Sequence, residues 1–411
     1  MTGLDVIKQA EQLLSNTFAE YEKTAYFNQV KVLQAFQKFK VRDTHFNASS
    51  GYGYGDISRD TLEEIYTEIF KAEDAMVRSQ IVSGTHAISA CLFGLLRPGD
   101  HLISVTGTPY DTLGRVIGVK ESFPGTLTER GIIYSEVPLD KQGLPQLSEI
   151  ASAINENTRM VLIQRSRGYS LRPAVSLDTI EKIIKTVKDK NAQTIVMVDN
   201  CYGEFTAETE PVEHGADIIA GSLIKNPGGG LALSGGYIAG KHELVKQISY
   251  YLTAPGLGKD LGASGGDNRR LYQGIFLAPH VVSQALKGAA LLATIFSQYG
   301  YKVLPGPFDQ RSDIVQAILL NNEEEVREFC QVIQNSSPVD SDIFLEYGDM
   351  PGYSDKIIMA AGTFIQGSSI ELSCDAPLRE PYAVYIQGGL TYEHIRYAAE
   401  RLIARLNLLG R

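Results

Sequence analysis

Thr194-Ile195-Val196-Met197-Val198-Asp199 is four apolar residues, two of them valine and one isoleucine, closed by a carboxylate. A short apolar run with β-branched content reads as a buried strand. Upstream, Ile180, Ile183, Ile184 and Val187 fall at helical spacing, and an apolar run lies before them at 160–163. Further runs of the same kind occupy 101–105, 218–222 and 235–239. Buried strands alternating with amphipathic helices predict an α/β architecture, a mostly parallel sheet covered on both faces.

The pattern extends in both directions. Val6, Ala10, Leu13, Leu14 and then Val30, Val32, Leu33 and Phe36 predict helix within residues 1–45, an N-terminal helical arm. A glycine and tyrosine loop at 46–56 breaks that periodicity, and residues 59–70 and 86–96 return to it. Residues 46–299 then form the large α/β domain, ending on an Ala/Leu-rich helix at 279–299. Strand-like segments at 303–304, 313–320 and 343–346 mix with helices at 323–333 and 392–408, so residues 300–411 are expected to form a smaller α+β domain.

The 411 residues carry 38 basic and 48 acidic side chains, a net charge of −10, with no basic run. Nucleic acid and anionic membrane are therefore excluded as expected partners. No stretch reads as a membrane span or as a signal peptide. Cys91, Cys201, Cys330 and Cys374 are widely spaced and form no zinc motif, so no metal is expected, and four free thiols suit the cytoplasm.

Four features in a consistent order point to pyridoxal 5′-phosphate (PLP). Ser83-Gly84-Thr85 precedes an apolar helix, where hydroxyls and free amides bind phosphate, although the same triplet is also an ordinary helix cap. Tyr110 follows a strand and is placed to stack on the cofactor ring; a loop tyrosine is its plain alternative. Asp199 closes its strand with a carboxylate that a pyridinium nitrogen would satisfy, or that would cap a helix. Lys225 stands between Leu223-Ile224 and Asn226-Pro227-Gly228-Gly229-Gly230, placed for a Schiff base to PLP, where a lone lysine could equally snorkel to solvent. A nucleotide loop fails on spacing, because the glycines follow the lysine and no GxxxxGK[ST] exists.

Further stretches carry a family resemblance: Gly51-Tyr52-Gly53-Tyr54-Gly55-Asp56, Gln80-Ile81-Val82-Ser83-Gly84-Thr85-His86, Gln164-Arg165-Ser166-Arg167-Gly168-Tyr169-Ser170 and Leu378-Arg379-Glu380-Pro381-Tyr382. With Val198-Asp199-Asn200-Cys201-Tyr202-Gly203-Glu204 and the Lys225 segment, they make the chain resemble the methionine γ-lyase-like or aluminium-resistance proteins, often described as cystathionine β-lyases. That resemblance implies the fold-type-I PLP-dependent transferase fold and a homotetramer of dimers with shared active sites. Tyr52 and Tyr54 match the region that reaches the neighbour's phosphate, and Ser222 matches a phosphate hydroxyl, while Ile224 replaces a small polar residue. Tyr385 stands where the wider group has the arginine for the substrate carboxylate, which leaves Arg379, Arg165 and Arg167 as the substrate-binding candidates. The implied activity is carbon–sulfur elimination on a sulfur-containing amino acid, with Lys225, Tyr110 and Asp199 catalytic. γ-Replacement, or a non-catalytic PLP-binding protein linked to metal resistance, are the alternatives.

Overall fold

The computed structural model describes residues 2–350, 353 and 355–408. The large sheet has seven strands, β1 (Asp74–Arg78), β2 (His101–Ser104), β3 (Ile133–Glu136), β4 (Thr158–Gln164), β5 (Ile195–Asp199), β6 (Ile218–Ser222) and β7 (Gly236–Gly240). Their order is β1-β7-β6-β5-β4-β2-β3. β7 runs antiparallel to both neighbours and all other pairs are parallel, so β1 points the same way as β2 to β6. Helices cover both faces: Val32, Ile65, Ile180 and Ile275 pack on one, and Ile88, Leu92, Val245 and Ile248 on the other. Loops that follow β1, β2, β4, β5 and β6 therefore open on one edge of the sheet, where open α/β sheets bind ligands.

The second sheet is antiparallel throughout. Its strands are β8 (Lys302–Leu304), β9 (Val315–Leu319), β10 (Ile357–Ala360), β11 (Ser373–Pro377) and β12 (Ala383–Gln387), in the order β10-β11-β12-β9-β8. The helices Glu323–Ser336 and Tyr392–Arg405 close its core. The N-terminal helices divide between the two bodies. Val6, Ile7 and Ala10 of Gly3–Leu13 join the C-terminal core, whereas Val32 and Ala35 of Ser15–Lys38 join the large one.

Three expectations need correction. The predicted strand at 343–346 is absent: Ile343 and Phe344 are exposed there, and the sheet is built instead from the strands at 357, 373 and 383. The helix expected at 279–299 is Asn268–Gln298. Pro279 reads as a helix start, yet burial of Leu271, Tyr272 and Ile275 carries the helix through it. That 31-residue helix is also long and apolar enough to cross a membrane, contrary to the sequence expectation, and most of its apolar stretch is buried inside the protein.

Candidate active site

A cleft of about 570 Å³ opens at the carboxyl edge of the large sheet, against the C-terminal domain. Its volume lies in the usual range for small-molecule sites. Of the sequence-predicted residues, Ser83, Gly84, Thr85, Tyr110, Asp199, Ser222, Lys225, Arg167 and Arg379 all line it.

Ser83 caps the helix Gly84–Leu95, its Oγ accepting the His86 amide at 3.0 Å and its carbonyl the Ala87 amide at 3.0 Å. The amides at the start of a helix have no acceptor within it, so Gly84 and Thr85 present theirs to an anion. A Cβ on Gly84 would meet Cys201 Sγ and Ser222 Cβ, each at 3.1 Å. The helix start thus packs closely against the ends of β5 and β6, an approach that glycine permits, and leaves room for no side chain there.

Tyr110 caps the helix Asp111–Ile117, and its loop is pinned where Gln164 Oε1 accepts its amide at 3.1 Å. Its hydroxyl lies 3.5 Å from Thr85 Oγ1. Asp199 ends β5 and accepts the Cys201 amide at 3.1 Å. Burial pushes its carboxyl up, while Lys225 and the Cys201 contacts pull it back. Such a carboxylate matches a protonated ring nitrogen.

Lys225 follows β6 by three residues, and Nζ stands 4.0 Å from the centroid of the Tyr202 ring. Burial would lower its ammonium, but the acidic sites of Cys201, Tyr202, Asp199 and Tyr110 outweigh that and hold it well above the usual lysine range. The turn after it cannot tolerate side chains. A Cβ on Gly228 would fall 1.8 Å from the Leu223 carbonyl, and one on Gly229 would fall 2.4 Å from that of Gly274. Tyr202 has φ +68, a left-handed conformation that non-glycine residues adopt at a cost and that functional sites retain. Its hydroxyl donates to the Ser368 carbonyl at 3.2 Å, tying this site to the C-terminal domain. The helix-start amides of Gly84 and Thr85, the Asp199 carboxylate and the Lys225 amine fit the phosphate, ring and aldehyde ends of PLP.

The three arginines separate. Arg379 lies at the cleft, held by Asp355 at 2.8 Å and the Tyr169 carbonyl at 3.0 Å. Arg167 lines it too, with Nη1 on the Leu304 carbonyl and its amide on Asp313 Oδ2. Arg165 does not face the cleft. It is 1% exposed, with Nη1 bound to Asn200 Oδ1 at 2.7 Å and to Glu210 Oε2 at 3.3 Å. The Arg165 amide still donates to the Asp199 carbonyl, continuing the ladder past β4, so alternation turns Gln164 and Ser166 to the cleft and Arg165 away. Its assignment to substrate binding is therefore corrected to a structural ion pair. Tyr52 and Tyr54 do not line their own chain's cleft, and their rings are 72% and 62% exposed.

Several cleft residues were not singled out in the sequence. Tyr202 sits beneath the lysine, and Arg172, Tyr353 and Asp375 complete the walls. Unlike Asp199, which closes an apolar run, Asp375 lies inside a strand that also holds Ser373, so no clear sequence signal marks it.

The architecture is the fold-type-I fold typical of PLP-dependent enzymes. A cystathionine γ-lyase from Lactobacillus plantarum, complexed with L-serine, shares it with a TM-score of 0.61 at 16% identity, covering 86% of this chain and 87% of that one. The chain belongs to the methionine gamma-lyase family, whose model matches residues 3–407. It is similar to a candidate cystathionine beta-lyase involved in aluminium resistance from Listeria monocytogenes (TM-score 0.96, 50% identity, covering 98% of this chain and 99% of that one). The uncharacterized protein YnbB of Bacillus subtilis is 49% identical over 391 residues, 95% of this chain and 93% of that protein.

Proposed function

We propose that this chain is a PLP-dependent carbon–sulfur lyase that eliminates a thiol from a sulfur-containing amino acid, with Lys225 as the cofactor lysine. The carrying observation is Lys225 Nζ over the Tyr202 ring, buried in one cleft with Asp199, Tyr110 and the helix start at Gly84. The family match, and a relative named as a cystathionine beta-lyase, support the reaction class.

When bound, the cofactor supplies an electron sink for a carbanion at the substrate Cα. The protein does the rest. Gly84, Thr85 and Ser222 would hold the phosphate, Asp199 would keep a positive charge at the ring nitrogen, and Tyr110 would lie against the ring. Arg379 and Arg167 offer cations for the α-carboxylate. In its neutral amine form Lys225 Nζ would take the Cα proton, and the electron pair of the broken C–H bond would expel the thiolate as the C–S bond breaks. In the assembly we propose, a homotetramer of dimers, Tyr52 and Tyr54 reach the neighbouring cleft. We place the enzyme in the cytoplasm, where its four free cysteines stay reduced.

Lys225→Ala tests this reading. The purified wild-type protein should absorb at roughly 420 nm, the signature of a PLP–lysine Schiff base, and release thiol and keto acid from cysteine thioethers. The variant should lose both, and a 420 nm band that persists would overturn the assignment.

A further inference from the structure

Asp375 has no task in the chemistry above, yet it is an acid inside the cleft. It lies on β11, 1% exposed, directly across from Tyr385 of β12. Its Oδ2 accepts the Tyr169 hydroxyl at 2.8 Å and the Ser368 hydroxyl at 3.2 Å. Its Oδ1 is buried and, among the described residues, has no hydrogen-bond partner. Tyr169 packs against Tyr385 at 5.5 Å and Tyr353 at 5.6 Å, so the carboxylate is set in an aromatic wall on the C-terminal side of the cleft.

A buried carboxylate oxygen without a donor is costly, and the cost is relieved when a ligand brings one. Among the described residues no arginine or lysine bonds to Asp375. The ligand group it meets can be assigned by elimination. On the lyase reading the substrate's α-ammonium goes to the Lys225 side, and its α-carboxylate pairs with arginine. A second carboxylate beside that α-carboxylate would repel it. What remains is the part of the substrate beyond sulfur. Tyrosine rings on both sides favour a cation there, since aromatic faces attract ammonium groups.

We propose that Asp375, oriented by Tyr169 and Ser368, recognises an ammonium group carried on the leaving thiol, so that the enzyme prefers thioether amino acids with a cationic far end. This specificity rests on the lyase reading, but the subsite can be tested apart from it.

Two isosteric pairs separate the claims. L-Lysine and L-2-aminoheptanoate have no sulfur to eliminate and differ only in an ammonium against a methyl group; their binding to the holoenzyme is measured by calorimetry. S-(2-aminoethyl)-L-cysteine and S-propyl-L-cysteine differ in the same way and are assayed for thiol release. Wild type should bind lysine at least about tenfold more tightly than aminoheptanoate, as for a hydrogen bond to a charged group. Its kcat/KM should favour the aminoethyl thioether similarly. In Asp375→Asn both ratios should fall to within about twofold of one, and Tyr169→Phe should lie between. Wild-type ratios near one would overturn the subsite while thiol release upheld the lyase. A lysine preference that Asp375→Asn abolishes, with no thiol from either thioether, would uphold the subsite and overturn the lyase.

Discussion

Glu204 is held by burial rather than by a cation. Its Oε1 accepts the Tyr237 hydroxyl at 2.7 Å, and its Oε2 is buried without a partner among the described residues. Burial pushes its carboxyl up to about 8; the Tyr237 bond and Arg165 oppose this, and Glu210 adds to it. Unfolded, the group titrates near 4.5. Between those values the folded chain keeps a proton that the unfolded chain releases, so stability falls as pH rises through that window. Glu204→Gln cannot lose a proton there. Its unfolding free energy, followed by urea denaturation, should gain on that of wild type from pH 5 to pH 8, by on the order of a few kcal/mol. A gap that stays constant with pH would show Glu204 ionised throughout. At this scale the sequence was legible where chain order reports strand ends. Tyr110, Asp199 and Lys225 each follow or close a predicted strand, Ser83 precedes a predicted helix, and the parallel sheet brings all four to one edge. Arg165 was misplaced because two arginines in the same loop look equivalent until the strand ladder is known to continue through residue 165.

The helix Asn268–Gln298 and the turn after Lys225 form one packed unit. An added Cβ on Gly274 would lie 2.4 Å from the Gly228 carbonyl and 3.0 Å from its carbon, both backbone atoms that cannot swing aside. In an exposed helix, alanine in place of glycine is favourable by about 1 kcal/mol. Here the clash decides the sign: Gly274→Ala should destabilise by about 2 kcal/mol or more and weaken PLP retention, because the turn it displaces begins at Lys225. Urea unfolding of the cofactor-free protein reads the first effect, and absorbance after dialysis reads the second. Stabilisation by the alanine would overturn this account of the packing. Element types in the large sheet were readable because buried parallel strands are short uniform apolar runs. The C-terminal sheet was less so. β11 carries Ser373 and Asp375 among its apolar residues, so it presents no clean period. By contrast, Ile343 and Phe344 resemble a strand locally, but the Ile343 amide donates to the Asp340 carbonyl and the Ile343 carbonyl accepts Gln331 Nε2 rather than pairing in a sheet, and both side chains stay exposed.

For the whole molecule, the 46–56 loop joins an anchored backbone to exposed tyrosines. Its backbone is fixed: the Tyr52 carbonyl accepts the Gly262 amide at 3.0 Å, the Gly53 carbonyl accepts Arg59 Nη1 at 2.9 Å, and Asp56 binds the Ser264 amide at 3.0 Å. A Cβ on Gly53 would lie 2.6 Å from the Ala263 amide, so the loop is seated tightly as well. Yet Tyr52 and Tyr54, their ring centroids 5.6 Å apart, extend into solvent. Two exposed aromatic side chains on an anchored loop fit a role in a neighbouring subunit, as a two-fold dimer with exchanged residues requires. If the site is shared, chains that are inactive for different reasons should rescue each other. A Lys225→Ala chain keeps its tyrosines, and a Tyr52→Phe/Tyr54→Phe chain keeps its lysine. In a mixed dimer one cleft receives both intact parts and the other receives neither. Random pairing makes half of the dimers mixed, so co-expressed chains should recover about a quarter of wild-type thiol release, from two preparations that separately show little. Co-expressed chains that do no better than the sum of the two preparations would mean that each cleft is complete within its own chain, and a double tyrosine variant with full activity would remove these side chains from the site altogether.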